Sequence, residues 1–153
     1  MTTAVHKPIR DSMRMLSILL SIFYIAAIFI LAGSPVVETV SKFNPYSLLH
    51  IPLYGIMTFL LVFSIAPIPR GFKNGSAQPW AKGTPGLTIR LFAAGAIAWV
   101  VGIFDEVHQL YVPGRDGSVG DVCLDMVGIA IALFLCSWLF KTRFFNKLTK
   151  RAQ

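Results

Sequence analysis

Five of the chain's seven acidic residues lie in one short segment, FDEVHQLYVPGRDGSVGDVCLD at 104–125. They are Asp105, Glu106, Asp116, Asp121 and Asp125, and long apolar runs flank them on both sides. Asp105 and Gln109 stand four apart, as do Asp121 and Asp125, so each pair shares one face of a helix. His50 and Tyr54 repeat that spacing upstream. Two carboxylates buried side by side cannot both ionise freely, which is how acid–base pairs are built. In that chemistry Asp105, Glu106 and His50 are the candidate catalytic groups, with His50 as proton carrier. Gln109, Arg115, Tyr54, Asp121 and Asp125 are the candidate substrate-binding groups, since the planar fork of Arg115 suits a phosphate. Oxygen donors without thiolates also suit a divalent metal, with Asp105, Glu106, Asp121 and Asp125 as candidate ligands. His50 would turn such a site from Mg²⁺ or Ca²⁺ toward Mn²⁺ or Zn²⁺. The structural alternative is a latch, in which the same groups join helix ends by charge-assisted hydrogen bonds.

The elements that carry these residues follow from composition. Of 153 residues, 55% are hydrophobic and 14% charged, and the mean hydropathy is +0.66. That is far from a soluble average. Four apolar segments, at about 15–33, 48–66, 87–110 and 119–140, each approach the roughly 20 residues a spanning helix needs. A backbone in lipid must satisfy its own hydrogen bonds, so the segments are helices. The expected fold is an all-α membrane protein, one domain over 1–153 with four transmembrane helices in a bundle. The run at 15–33 is longer than a secretory signal core and lacks a clean cleavage site, so it reads as an uncleaved helix. Lysine and arginine alternate along the chain: abundant before the first helix, sparse after it, abundant at 70–90, sparse in the third connection, abundant in the tail. This pattern predicts both termini in the cytoplasm and the acidic segment on the outer side of the cytoplasmic membrane. The net charge of +7 is thus a topology signal, and no basic soluble surface invites nucleic acid.

The connection at 67–86 is long, polar and rich in Gly and Pro, and reads as a mobile loop with Trp80 as an interface anchor. The connection at 34–47 has room for one helical turn, and the tail at 141–151 for a frayed helix end. Cys123 and Cys136 fall on one helix about 20 Å apart, too far for a disulfide. In the acidic segment, Pro113-Gly114 and Asp116-Gly117 are turn dipeptides, and Ser118 with Asp121 fits a helix start. Gly95, Ala98 and Gly102 share the face of Asp105, while Gly128 and Ala132 share that of Asp125. Small residues let helices approach closely, so these two faces should meet, with Arg115 folding back over the acids. His108 should turn to water, and Trp99 and Trp138 should face lipid.

The pattern D-E-x-x-Q-x-Y-x-P-x-R followed by D-x-x-x-D-x-x-G resembles the VanZ-like family of small bacterial membrane proteins. Here it comprises Asp105, Glu106, Gln109, Tyr111, Pro113, Arg115, Asp121, Asp125 and Gly128, with His50 and Tyr54 matching an upstream pair. The family often has Asn where this chain has Asp125, and an Asp-Lys pair usual before the His region is absent. The resemblance implies a cell-envelope role, because a founding member is associated with resistance to a lipoglycopeptide antibiotic. Two functions are then open. One is a protein that binds, and in an enzymatic version modifies, a lipid or lipid-linked glycan headgroup at the outer leaflet. The other is an accessory or assembly subunit of a larger membrane complex, with the acids as an internal latch. A transporter is disfavoured, since no ionisable residue marks a path across the midplane.

Overall fold

A computed structural model of the chain describes residues 6–34, 46–65 and 86–141. It contains four α-helices: α1 (His6–Ala32), α2 (His50–Ile65), α3 (Leu87–Gln109) and α4 (Val119–Lys141). One turn of 3-10 helix, Tyr46–Leu49, leads into α2. Each helix, α2 together with the 3-10 turn that leads into it, is long and apolar enough to cross a membrane, and there is no strand among the described residues. The expectations for the loop at 67–86, the connection at 34–47 and the tail lie, but for their edges, outside the described residues.

The bounds of α3 and α4 match the apolar runs to within a residue. α1 differs, because it begins at His6 and carries a polar, basic prefix ahead of its apolar run. Helix propagation needs no apolar side chain, and Pro8 falls in the first turn, where backbone N–H groups have no intrahelical partner. α2 begins two residues later than its apolar run, because the 3-10 turn takes up the residues before His50.

Polarity is arranged inside out. Phe23, Ile30, Phe92 and Phe134 are each at least 70% exposed, whereas Ser21, His50, Thr58, Asp105, Glu106, Gln109 and Asp125 are buried. An apolar exterior of this extent is a surface for lipid rather than water. Trp99 and Trp138 are on that exterior, as expected.

α2 is the central helix and packs against the other three. At its carboxyl end two arginines converge on orphan carbonyls: Arg14 Nε donates to Ser64 O at 3.3 Å, and Arg90 Nη1 donates to Ile65 O at 2.6 Å. Cations there complement the helix dipole. The hydroxyls of Ser21 and Ser64 bond at 3.0 Å, and Tyr24 Oη donates to Leu53 O at 3.1 Å, which fastens α1 alongside. α2 and α4 approach most closely where Gly55 faces Gly128. A Cβ on Gly128 would run into the backbone carbonyl of Ile51, with Gly55 N 3.1 Å away.

That contact departs from the expectation for Gly128. Its face divides, with Asp125 reaching between α2 and α3, against His50 and Gly102, and Gly128 turned to α2 alone; Gly95 of α3 meets Leu133 and Ile129 of α4. Because backbone blocks the Gly128 position, Gly128→Ala must separate α2 from α4. We expect a loss of about 1–3 kcal/mol, read as a lowered thermal midpoint in detergent. An unchanged midpoint would contradict this packing.

Candidate functional site

The acids gather at the end of the bundle formed by the carboxyl termini of α1 and α3 and the amino termini of α2 and α4. Asp105 and Glu106, near the carboxyl end of α3, sit against the local helix dipole, which disfavours anions there. The amino termini of α2 and α4 at the same end offset this, and Asp121 occupies the favoured first turn of α4.

His50, the first residue of α2, lies between the two carboxylates of α4. Its Nδ1 is 2.8 Å from Asp125 Oδ1, and its Nε2 is 3.9 Å from Asp121 Oδ2. Asp125 is fully buried and His50 nearly so, so the shorter contact is a charge-assisted hydrogen bond in a dry setting. Gly102 makes room for it: a Cβ there would stand 2.7 Å from Asp125 Oδ2 and 3.3 Å from the Tyr54 ring. Tyr54 Oη donates to Asp105 Oδ2 at 3.2 Å, and Gln109 Nε2 donates to the same oxygen at 3.1 Å and to Glu106 Oε1 at 3.3 Å. The amide of Gln109 meets Asp105 on their shared face, as the spacing predicted, and also bridges to Glu106.

The turn after α3 delivers Arg115. Arg115 N–H bonds back to Val112 O at 3.1 Å, and Gly114 has φ +76°. This is the Pro-Gly arrangement of a type II turn. The Arg115 guanidinium donates through Nη2 to Gln109 Oε1 at 2.7 Å, so part of its counter-charge reaches the acids through an amide. His108 does not turn to water. It is half-buried, with its ring edge-on to Phe29 at 5.5 Å, because the carboxyl-terminal part of α1 covers that face.

Glu106 has a second task that the sequence did not disclose. Ser118 and Asp121 are spaced for a capping box, in which the acid would accept from the Ser118 N–H. Glu106 Oε2 of α3 takes that N–H instead, at 2.7 Å, while Ser118 Oγ accepts from Gly120 N–H at 3.1 Å. α4 is therefore capped from α3, and Asp121 is left to face His50. The spacing twelve residues apart carries no local signal for such a bond.

Every candidate site residue is thus in one network or at its edge: Asp105, Glu106, His50, Gln109, Arg115, Tyr54 and Asp125 within it, and Asp121 at 3.9 Å from His50. Beside it is a cavity of about 320 Å³. Its apolar wall includes Tyr24, Ile28 and Leu31 of α1 with Leu53 of α2, and its polar wall is His50, Asp105, Gln109 and Arg115. The contribution of α1 was not foreseen, because Tyr24 and its neighbours have no chemistry of their own. For the cross-helix cap, Glu106→Ala should cost roughly 0.5–2 kcal/mol, whereas Glu106→Gln retains an acceptor and should cost less. Equal thermal midpoints for the two variants would sink the cap.

The comparisons with known proteins bear on the same residues. No curated protein and no solved structure matches the chain significantly. The profile of the VanZ/LLP1 family, however, matches residues 17–141. That interval takes in the last three apolar spans, most of the first and the entire polar network, and on it we conclude that this multi-pass membrane protein belongs to the VanZ/LLP1 family.

Proposed function

We propose that this VanZ-family protein binds the headgroup of a phosphate-bearing lipid or lipid-linked glycan at the outer leaflet of the cytoplasmic membrane. The carrying observation is the two-faced cavity, apolar along α1 and α2 and polar at His50, Asp105, Gln109 and Arg115. Its volume of about 320 Å³ is at the low end of ligand sites, enough for a headgroup and the first part of a chain. The apolar wall takes the chain, and the guanidinium of Arg115 takes phosphate.

The basic residues support the orientation. Arg14 and Arg90 are at the bundle end opposite the acids, and positively charged ends remain cytoplasmic. The site then opens outward with both termini inside. In an enzymatic version Asp105 or Glu106 takes the proton from a hydroxyl as its oxygen bonds to the headgroup phosphorus, and His50 gives a proton to the ester oxygen that leaves as its bond to phosphorus breaks, with Asp121 and Asp125 holding the histidine in place.

A second reading has its own support. The hydrogen bonds of His50 to Asp125, Tyr54 to Asp105 and Ser118 to Glu106 join α2, α3 and α4, as a latch in an accessory subunit of a membrane complex would. One comparison separates the two. Native mass spectrometry of protein released from nanodiscs should find phospholipid retained by the natural chain and lost from Arg115→Ala, with little change in thermal midpoint. Equal retention by both would overturn headgroup binding and favour the latch. For orientation, Asp116→Cys, in a background lacking Cys123 and Cys136, should react with an impermeant maleimide from outside the cell; reaction only from inside would reverse it.

A further inference from the structure

We propose that the polar wall of the cavity is a binding site for one divalent transition-metal ion, held by His50, Asp105 and Glu106. This rests on the headgroup reading only for its purpose; its geometry stands alone. Each of the three residues places one donor atom within 4.8 Å of those of the other two, and all three are buried. Ligands that each stand about 2.0–2.2 Å from a central ion lie at most roughly 4.4 Å apart. Three such donors spaced evenly around one ion stand about 3.4–3.8 Å from one another, so these three close by up to about an ångström to hold it.

Clustered acids are common without an ion, so two independent features carry the assignment. The first is an orphan atom. Asp105 is 2% exposed and lines the cavity, and its Oδ1 has no hydrogen-bond partner among the described residues. A buried carboxylate oxygen without a donor is costly, and a cation at the cavity wall would satisfy it. The second is the surroundings of the histidine. A metal-binding imidazole usually gives its other N–H to a carboxylate, which fixes the ring and raises its basicity. Both nitrogens of His50 have one beside them, Asp125 at Nδ1 and Asp121 at Nε2. With Nε2 on the ion, Nδ1 keeps its 2.8 Å hydrogen bond to Asp125.

Charge agrees with this. Asp105, Glu106, Asp121 and Asp125 converge with Arg115 as the nearby cationic side chain among the described residues, since His50 as a ligand is neutral. A dication reduces the excess negative charge of a dry site. Imidazole with two carboxylates suits Mn²⁺, Fe²⁺ or Zn²⁺ better than Mg²⁺ or Ca²⁺. Three protein ligands also leave coordination positions open toward the cavity, where the oxygen of a phosphate or of water can bind.

Mn²⁺ is the probe. Purified protein in nanodiscs of uncharged lipid, stripped with chelator and dialysed, is titrated with Mn²⁺ while electron paramagnetic resonance reports the free ion. One tightly held Mn²⁺ per chain is expected, displaced by Zn²⁺ and not by an equal concentration of Mg²⁺. Asp105→Asn and Glu106→Gln should each weaken it by at least about tenfold, with the folded state verified by thermal midpoint. Failure of the natural chain to bind, binding undiminished in both variants, or displacement by Mg²⁺ as effective as by Zn²⁺ would overturn the site. The titration of the natural chain needs neither variant to fold. With nanodisc lipid that bears no phosphate in this titration, and with phospholipid retention repeated on chelator-stripped protein, either proposal can fail without the other.

Discussion

The bundle depends on one buried contact, the 2.8 Å bond between His50 Nδ1 and Asp125 Oδ1. It joins the first residue of the central helix to a fully buried carboxylate on α4, in surroundings with little water to replace either partner. Removing one side would leave a buried polar or charged group uncompensated, which costs several times what an exposed pair contributes. Glycines on each side allow it. Gly55 and Gly128 bring the α2 and α4 backbones together, and Gly102 yields the space that Asp125 fills. The remaining polar contacts are arranged around this one, with Tyr54 and Gln109 on Asp105, Glu106 on the start of α4, and Arg115 over Gln109.

Such a network is expensive in a membrane protein, and its position explains how it is tolerated. It is at one end of the bundle, where two helix amino termini favour anions, and not at the midplane. Glu106 also lowers its own cost by accepting the Ser118 N–H, a donor that α4 would otherwise leave orphaned. A purely structural latch would satisfy every oxygen it buries. Asp105 Oδ1 and Asp125 Oδ2 have no such partner among the described residues, and Asp105 lines a cavity. Those two observations weigh toward a site that receives something.

The four helices and the acidic segment were legible in the sequence because apolar run length and helical spacing are local properties. Asp105 with Gln109, the Pro113-Gly114 turn and the helix start at Ser118 follow from positions a few residues apart. What was not legible depends on how helices dock. Gly128 was assigned to the face of Asp125, but a helix face is wide enough to divide between two neighbours, and α2 took the glycine. His108 was expected in water because nothing in its own helix shows that α1 covers it with Phe29. The capping of α4 by Glu106 links two helices across a turn, so Ser118 with Asp121 read as a self-contained cap. Most of the apolar wall of the cavity comes from α1, where lining residues such as Ile28 and Leu31 carry no signal beyond hydrophobicity.

A membrane protein of the VanZ/LLP1 family thus concentrates its acids, its buried histidine and a cavity with one apolar wall at the same end of the bundle. The central claim is that His50 and Asp125 act as a single buried unit on which that end is built. A double-mutant cycle with His50→Gln and Asp125→Asn, read by reversible unfolding in detergent, tests it most directly. The account predicts strongly non-additive losses, with a coupling of about 1.5–3 kcal/mol. Losses that simply add would contradict it.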